Sequence, residues 1–240
     1  MKTFSKLLML SVIFAFVFVT SCKKDDTEPK INEAELLAEY LTTYANTDPF
    51  PAMISALDVN NSVVANDGNV YVIDIRTSTD FAAGHITRAV NVTLTDLLTY
   101  YETNNLNTKQ TVAIACYSGQ TACYGASLLR MLGYTNVKVL KFGMSSWNPA
   151  TKGSWTNNIK NTLATEMVTT AGTKNATNEL PVLSTGKTTG AEILRARVET
   201  LLSVADPFAE AKITNQAAFD SRASNYTVNY WKESHYNFKH

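Results

Sequence analysis

The chain has 240 residues, with 21 lysines and arginines against 21 aspartates and glutamates, and 45% of its residues are hydrophobic. This length allows one large domain or two small ones, and 18% charged residues with 10% aromatics exclude a disordered chain. A formal net charge of zero gives no electrostatic footprint for nucleic acid. Three cysteines alone provide neither a disulfide framework nor a four-ligand zinc site. We therefore expect an ordinary soluble enzyme or a binding module.

The first residues of the chain have the pattern of an export signal. Lys2 and Lys6 form a short basic region, and residues 7–19 are then almost entirely apolar. A run of this length is too short to span a bilayer as a helix, but it matches the apolar core of a secretory signal. Small residues precede Cys22, an arrangement that resembles the lipobox of bacterial lipoproteins, in which the cysteine is lipidated. A plain signal peptide with an incidental cysteine is the alternative.

The lipobox divides this region into a cleaved signal peptide, residues 1–21, and a polar tether, residues 22–33. Loss of the two signal lysines leaves 19 basic residues against 21 acidic ones, so the mature chain is slightly acidic. Acidic residues soon after Cys22 resemble the surface-export signals of Bacteroidetes-type lipoproteins. The expected location is the cell envelope, with the lipid in the outer membrane and the protein on its periplasmic face or at the cell surface.

Helix and strand patterns alternate from residue 34 to residue 150. In chain order they predict a helix over 34–45, a strand over 70–75, a helix over 94–101, a strand over 111–115, a helix over 121–132 and a strand over 137–140. Strands that alternate with helices are typical of a parallel sheet covered on both sides. We therefore expect an α/β domain over residues 34–150, with a parallel sheet flanked by helices.

Beyond residue 150 the chain changes character and then echoes its own beginning. Residues 151–190 are rich in threonine and asparagine, which predicts a linker. Three segments of residues 191–240 then echo earlier segments in the same order: 34–37 at 191–194, 48–50 at 206–208, and 72–85 at 227–240. We interpret residues 191–240 as the opening half of a second α/β copy, with truncation at His240 as the preferred explanation. The alternative is an accessory arm that packs against the first domain.

The segment from Cys116 to Thr121 carries the residues best suited to chemistry. A predicted buried strand ends at Cys116, and ligands of open α/β sheets bind at the carboxyl ends of the strands. Gly119 permits a tight curl in which successive N–H groups form an anion-binding nest, and a helix N-terminus with unsatisfied donors follows. Both features stabilise a thiolate, which can attack an electrophilic sulfur or phosphorus atom. The remaining loop residues are expected to shape the pocket: Tyr117, Ser118, Gln120 and Thr121.

Motifs spread over residues 70–147 resemble those of a rhodanese domain, the domain of the thiosulfate sulfurtransferase family. Ahead of the Cys116 loop they are the block 72–76 (VIDIR), Asp80-Phe81 and Gly84-His85-Ile86; after it they are Leu132-Gly133-Tyr134, Val139-Leu140 and the block 143–147 (GMSSW). The likeness covers roughly a third of the chain directly. It implies a rhodanese-like parallel sheet, and an incomplete tandem second copy in residues 191–240.

The resemblance implies a sulfurtransferase that needs no metal or organic cofactor. The Cys116 thiolate would take the outer sulfur of thiosulfate or of a persulfide donor, and the Cys116 persulfide would pass it to cyanide, a thiol or a protein cysteine. Tyr117 and Thr121 stand where the family most often has arginines, so recognition of the anion by arginine side chains is not expected. A loop this short, without a terminal arginine, argues against the activity of the related phosphatases.

Other candidates near the loop have plainer interpretations. Asp74 and Arg76 end the first predicted strand, and the resemblance implies that Asp74 caps a turn and orients the loop by hydrogen bonds. His85 is expected to be structural rather than a catalytic base. Cys123 could act as a resolving thiol, but a small buried hydrophobic residue is the favoured interpretation. In the second copy, Asn229 and Trp231 replace Asp74 and Arg76, so that copy is expected to be inactive.

Two classes of function stay open for the Cys116 loop. The first is the enzyme, with a small-molecule sulfur donor, a thiol or cyanide acceptor, and the membrane through its lipid anchor as partners. The second is a non-catalytic rhodanese-like module that binds a partner or senses sulfur species at the cell envelope. A purely structural surface protein is disfavoured, because a scaffold has no need of a cysteine in an anion-binding loop.

Overall fold

The strands of the domain lie side by side in one parallel sheet. The computed structural model describes residues 31–43, 52–159, 165 and 179–224. Within these ranges the strands follow the order β1-β5-β4-β2-β3, and all neighbouring pairs are parallel. The strands are β1 Ala52–Ile54, β2 Val70–Asp74, β3 Val90–Asn91, β4 Thr111–Ala115 and β5 Val137–Leu140. The expected α/β class, a rhodanese-like parallel sheet with flanking helices, is confirmed.

The helices of the described ranges connect these strands and continue beyond them. They are α1 Glu33–Thr42, α2 Ala56–Ala65, α3 Ser78–Ala83, α4 Leu97–Thr103, α5 Gln120–Met131, α6 Gly153–Thr156, α7 Gly190–Leu202 and α8 Asn215–Asp220. Short 3-10 turns lie at Leu106–Thr108, Gly143–Ser146 and Pro149–Thr151. None of the helices described here is both long enough and apolar enough to cross a bilayer.

Successive side chains of the sheet enter two separate hydrophobic clusters. Along β4, Val112 and Ile114 belong to one cluster, whereas Ala113 and Ala115 belong to the other. This alternation is the period of two that a strand imposes on its side chains. Helices α4, α5 and α7 pack in the first cluster, and α2 and the turn after β5 pack in the second. Both faces of the sheet are therefore covered, and β4 lies at its centre.

The longer patterns in the sequence place their elements correctly, with small shifts at the ends. The strands predicted over 70–75, 111–115 and 137–140 match β2, β4 and β5, and the helices predicted over 34–45 and 121–132 match α1 and α5. The helix predicted over 94–101 begins later, at Leu97, because Thr93 and Asp96 form a hydrogen-bonded turn before it. The elements β1, α2, α3 and β3 were not predicted from the sequence.

Helix α7, expected to open a second copy, is built into the core of the first domain. Leu194, Val198 and Leu202 are buried in the same cluster as the β4 side chains, and α7 also packs along α1. The Glu33 carboxylate at the start of α1 accepts hydrogen bonds from the N–H groups of Thr185 and Gly186, just ahead of α7. For residues 190–202 the structure therefore corresponds to the alternative of an accessory arm.

Several sequence predictions fall on residues outside the described ranges. These are the signal peptide over 1–21, the lipidated Cys22, most of the tether over 22–33 and much of the linker over 151–190. The predicted repeat over 227–240, with Asn229, Trp231 and His240, also falls there. The domain boundaries and the tandem copy accordingly stay predictions.

Candidate active site

Cys116 follows directly after the last residue of β4, at the carboxyl edge of the central strand. Its side chain is buried, with 3% of the residue exposed. The Gly119 N–H donates to Sγ at 3.2 Å, and the Ala122 N–H donates to the same atom at 3.3 Å. Two backbone donors aimed at one sulfur stabilise the thiolate more than the thiol, because the thiolate is the stronger acceptor. The curled loop predicted around Cys116 is thus the geometry that the structure has.

The loop is held in this curl from its outer side by the 3-10 turn Gly143–Ser146. The Met144 N–H donates to the Cys116 carbonyl at 2.7 Å, and the Ser145 N–H donates to the Tyr117 carbonyl at 2.9 Å. The Ser145 hydroxyl also donates to the Tyr117 carbonyl, at 2.8 Å. Because the carbonyls are bound to this turn, the loop is free to present its N–H groups to the sulfur. Residues 143–147 form one of the motifs of the sequence, but the motif alone does not indicate this role.

Gly143 allows the turn to approach the loop this closely. Its φ of +56° lies in the left-handed region, and a Cβ on it would collide with the Cys116 carbonyl oxygen and lie 2.8 Å from the Gly119 nitrogen. Gly119 itself has a φ of +97°, which the sequence analysis expected from the tight curl. The only sequence signal for Gly143 is its position, three residues after a predicted strand.

Four more N–H groups of the loop are available to a bound sulfur atom or anion. They meet no acceptor among the described residues, and they belong to Tyr117, Ser118, Gln120 and Thr121. The last two open α5, whose first-turn N–H groups carry the positive end of the helix dipole. The loop therefore offers backbone donors at each of the positions that the sequence analysis assigned to substrate binding. The assignment of these residues to a substrate stays a prediction.

The Tyr117 side chain ties the loop to α3. Its hydroxyl donates to the Asp80 carboxylate at 2.5 Å, and the Thr77 hydroxyl donates to the same carboxylate oxygen at 2.6 Å. The hydrogen bonds from Thr77 and Tyr117, with the Arg76 charge, lower the pKa of the half-buried Asp80 below its ordinary value. Asp80 was quoted in the sequence analysis only as part of a motif, so this anchor was missed.

Asp74 and Arg76 form a buried ion pair next to the loop. The Arg76 Nη2 lies 2.7 Å from Asp74 Oδ2, and both side chains are at most 4% exposed. The Arg76 Nη2 also donates to the Gly84 carbonyl at 2.7 Å. The hydrogen bonds of the Asp74 carboxylate come from the backbone N–H and the side chain of Arg76, so Asp74 caps its own turn. The expected role of Asp74 in orienting the loop stays a prediction.

Arg76 of this pair still contacts the loop, through the ring of Tyr117. The guanidinium carbon of Arg76 lies 6.0 Å from the centroid of the Tyr117 ring, within the range of a cation–π contact. The backbone continues the sheet there, since the Ile75 N–H donates to the Ala115 carbonyl at 2.9 Å. Arg76 therefore contacts the loop through the Tyr117 ring, while its charge is paired with Asp74.

His85 and Cys123 occupy structural positions. The exposed His85 ring stacks on Phe81 with centroids 3.8 Å apart, and its Nδ1 lies 2.8 Å from the Phe81 carbonyl oxygen. Cys123 lies in α5 and is partly buried against the core, and this burial, together with the nearby Cys116, raises the pKa of its thiol. A thiol with a raised pKa is mostly protonated and is a weak nucleophile.

This arrangement can stabilise a negative charge on sulfur and hold a second sulfur or an oxyanion beside it. Within the described residues no group of three or more His, Cys, Asp or Glu side chains could hold a metal ion. A thiol at the carboxyl end of a parallel strand, in a cradle of N–H groups, defines a class of α/β domain built for thiolate chemistry on small anions.

Comparisons with known proteins name the family. A family model described as "Rhodanese-like domain" matches residues 60–150. The thiosulfate sulfurtransferase GlpE of Pseudomonas fluorescens (strain SBW25) is 33% identical over 76 residues, which are 32% of this chain and 68% of that protein. The chain therefore belongs to the rhodanese family, and a sulfurtransferase-like role, with a sulfur donor and a sulfur acceptor as substrates, is supported at that level.

Two solved structures are similar to part of this chain. A rhodanese-related protein from Thermoplasma volcanium shares 22% identity over 40% of this chain and 89% of its own, with a TM-score of 0.35. The reduced Bacillus anthracis CoADR-RHD shares 25% identity over 45% of this chain and 18% of its own, with a TM-score of 0.36.

Proposed function

We propose that the protein is an exported, lipid-anchored sulfurtransferase that carries sulfane sulfur on Cys116. The observation that carries the proposal is the buried thiol at the end of β4, with two N–H groups on Sγ and four more beside it. This cradle suits a thiolate, and it equally suits the persulfide anion that follows. The family's sulfurtransferase-like role gives the reaction class.

The proposed reaction has two half-steps. The Cys116 thiolate attacks the outer sulfur of thiosulfate or of a persulfide, the donor's S–S bond breaks, and its electron pair leaves with sulfite or with the donor thiolate. An acceptor nucleophile, such as cyanide or a thiolate, then attacks the outer sulfur of the Cys116 persulfide. The S–S bond of the persulfide breaks, and its electron pair returns to Sγ. No net oxidation takes place on the protein.

The charges around the loop bear on which donor is used. Tyr117 and Thr121 bring no positive charge, and Arg76 is already paired with the Asp74 carboxylate. Thiosulfate would then be bound by N–H groups and the α5 dipole alone. We therefore propose that persulfides are at least as good as thiosulfate as donors, since they need less compensation of charge.

The test is the transfer of sulfur from thiosulfate, and from glutathione persulfide, to cyanide, measured as thiocyanate. Cys116→Ser is expected to abolish turnover with both donors, because a hydroxyl forms no persulfide. Cys123→Ser is the matched control, as it removes the other thiol of the described residues and should keep turnover within about threefold of wild type. Loss of turnover in Cys123→Ser alone, or full turnover in Cys116→Ser, would contradict the proposal.

The non-catalytic alternative is favoured by one feature, the tyrosine and threonine at the two positions where arginines are commonest in the family. Under this alternative Cys116 would accept sulfur from a donor and then keep it. Mass spectrometry would detect the difference: a persulfide on Cys116 that outlasts a large excess of cyanide and of thiols identifies a sensor, whereas a persulfide consumed at the rate of turnover identifies the enzyme.

The proposed anchor depends on Cys22 and has its own test. Wild type expressed in its native type of host should incorporate a labelled fatty acid and sediment with membranes. Cys22→Ser should lose both properties while keeping Cys116 turnover. Unlabelled wild-type protein recovered without its first residues would identify a plain signal peptide instead.

A further inference from the structure

One exposed surface beside the Cys116 loop is not used by the proposed chemistry. It consists of Lys141, Phe142, Lys152 and Trp155, which we call the 141–155 patch. The Phe142 and Trp155 residues are each 47% exposed, and their ring centroids lie 5.3 Å apart. The Lys141 Nζ lies 5.4 Å from the centroid of the Phe142 ring. Two large aromatic rings that pair on the surface, with a cation against one of them, are unusual unless something binds there.

The patch is fixed to the loop through the backbone. A Cβ on Gly119, the residue that donates to the Cys116 sulfur, would lie 3.5 Å from the Phe142 nitrogen. Phe142 is followed by Gly143, whose turn binds the loop carbonyls. The Thr151 hydroxyl donates to the Met144 carbonyl at 2.5 Å, which fastens the segment that leads to Trp155. A molecule on the patch would therefore be held next to the loop that carries the sulfur.

The backbone of Phe142 is itself in a costly conformation. Its φ of +63° is left-handed, a region that a bulky residue without hydrogen-bonding capacity rarely adopts. Residues held in this way are over-represented at binding sites, because the surrounding structure maintains them for a purpose. Phe142 follows β5 by two residues, and it combines this left-handed φ with a half-exposed ring.

The charge of this part of the chain has one sign. Residues 103–165 contain no aspartate or glutamate. No ion pair of the described residues involves Lys141 or Lys152. The carboxylate tied to the loop, Asp80, belongs to α3 and is bound by Tyr117 and Thr77. The patch thus offers unpaired positive charge together with apolar surface, in a mature chain that we expect to be slightly acidic.

We propose that the 141–155 patch docks an acidic segment of a protein whose cysteine accepts the sulfur from Cys116. The inference rests on the proposed sulfurtransferase function and specifies its acceptor. Aromatic side chains are enriched at protein–protein interfaces, and tryptophan is among the residues that carry most of the binding energy. The partner's carboxylates would meet the two lysines, and its apolar side chains would cover Phe142 and Trp155. The partner's thiolate would then attack the outer sulfur of the Cys116 persulfide, and the S–S electron pair would return to Sγ.

The experiment uses the whole protein, loaded with sulfur by thiosulfate or glutathione persulfide, and two synthetic acceptor peptides. Both peptides have one central cysteine and the same leucine and phenylalanine, flanked in one by glutamates and in the other by lysines. The glutamate peptide is expected to have a kcat/KM about tenfold higher at low salt, falling toward equality near 0.5 M sodium chloride. Cyanide measured in parallel reports the Cys116 chemistry without docking.

Variants locate the effect on the surface. The double change Lys141→Glu with Lys152→Glu should remove or reverse the preference, and Trp155→Ala should raise KM for the glutamate peptide. Both variants should leave cyanide turnover unchanged. Lys109→Glu is the control for each of the two substitutions, since it makes the same charge change as one of them, just ahead of the amino end of β4, and should keep the preference.

Each outcome decides between the inferences. Equal rates for the two peptides, or a preference that Lys109→Glu removes as well as the double change does, would overturn the patch as a docking site. Wild type that forms a dimer in analytical ultracentrifugation, and a monomer once Trp155→Ala is made, would assign the patch to a second copy and overturn the acidic partner. Absence of any Cys116-dependent transfer to cyanide would instead refute the proposed function.

Discussion

At the scale of single residues, the reactivity proposed for Cys116 depends on Met144 and Ser145, which bind the loop backbone and not the sulfur. The Gly119 and Ala122 N–H groups reach Sγ because the carbonyls of the loop are bound from outside by Met144 and Ser145. That binding requires the Gly143–Ser146 turn to lie against the loop backbone. The donors are backbone groups, so their positions respond to any residue that moves the backbone.

Gly143→Ala should separate the position of the loop from its chemical groups. The new methyl would collide with the Cys116 carbonyl oxygen and crowd the Gly119 nitrogen, both of which are backbone atoms that cannot turn aside. We expect sulfur transfer to cyanide to fall on the order of 10²-fold, since a displacement near 1 Å is enough for a loss of that size. Stability should fall by about 1 to 3 kcal/mol.

Gly68→Ala is the control for the backbone conformation alone. Gly68 has a similar φ of +70°, but a Cβ there meets nothing within 4 Å. It should therefore lose about 1 kcal/mol of stability from the left-handed φ and keep its turnover. If Gly143→Ala also kept its turnover, the turn would not be needed to shape the loop.

Only those parts of the site that leave a local pattern along the chain could be predicted from the sequence. Cys116 at the end of a buried apolar run, with Gly119 three residues later, is a local signal, and both residues could be placed correctly. The Tyr117–Asp80 hydrogen bond joins residues 37 positions apart. Nothing in the local pattern reports such a contact. The turn cap expected of Asp74 is also local, because its partner Arg76 is only two residues away.

At the scale of elements, one carboxylate connects α4 to α7. Glu102 accepts hydrogen bonds from Arg195 Nη1 at 2.5 Å and Nη2 at 3.0 Å, and from the Tyr134 hydroxyl at 2.5 Å. These interactions, Arg195 first, lower the pKa of Glu102 below its ordinary 4.5. The Glu102 side chain is 32% exposed, so solvent screens part of the attraction.

Glu102→Gln should therefore weaken the docking of α7 in a pH-dependent way. A lowered folded-state pKa means that the stabilisation is fully present above the ordinary value, decreases below it, and is lost as the pH falls through the folded value. Near neutral pH we expect a loss of about 1 to 2 kcal/mol in the free energy of unfolding. In urea titrations, the difference from wild type should shrink below about pH 4.5.

Glu199→Gln is the matched control for that prediction. Glu199 contacts the same Arg195, at 2.6 Å, but it lies on α7 itself and its side chain is 53% exposed. Its loss should cost no more than about 0.5 kcal/mol. An equal effect of the two changes would mean that Glu102 does not fasten α7 to α4.

The elements that sequence reasoning found and missed differ in length and burial. The five residues of β4 are all buried, so its apolar run is continuous and easily seen. The three residues of β1 include an exposed Ala52 and Met53, and β3 has only two residues. Such edge strands are defined by their partner rather than by their own sequence. Both were therefore predictable only once β5 and β2 were in place.

At the scale of the whole molecule, the echo of residues 34–37 at 191–194 has an unexpected structural counterpart. The two helices that carry these segments, α1 and α7, pack against each other beside the first core. The sequence detected the likeness of these segments, but likeness alone does not reveal the core in which a helix is buried.

If α7 belongs to the first core, truncation of a buried α7 side chain must leave a cavity that destabilises the central strand. Leu202 is 2% exposed and lies in the same cluster as Val112 and Ile114 of β4. Leu202→Ala should therefore lower the free energy of unfolding by about 2 to 5 kcal/mol. Hydrogen exchange of the β4 amides should accelerate by the corresponding factor, because these amides open with the global transition.

Val204→Ala, close by but 46% exposed, should change the free energy of unfolding by less than about 0.5 kcal/mol. Unchanged β4 exchange in Leu202→Ala would show that α7 folds apart from the sheet, as the first helix of an independent second copy would.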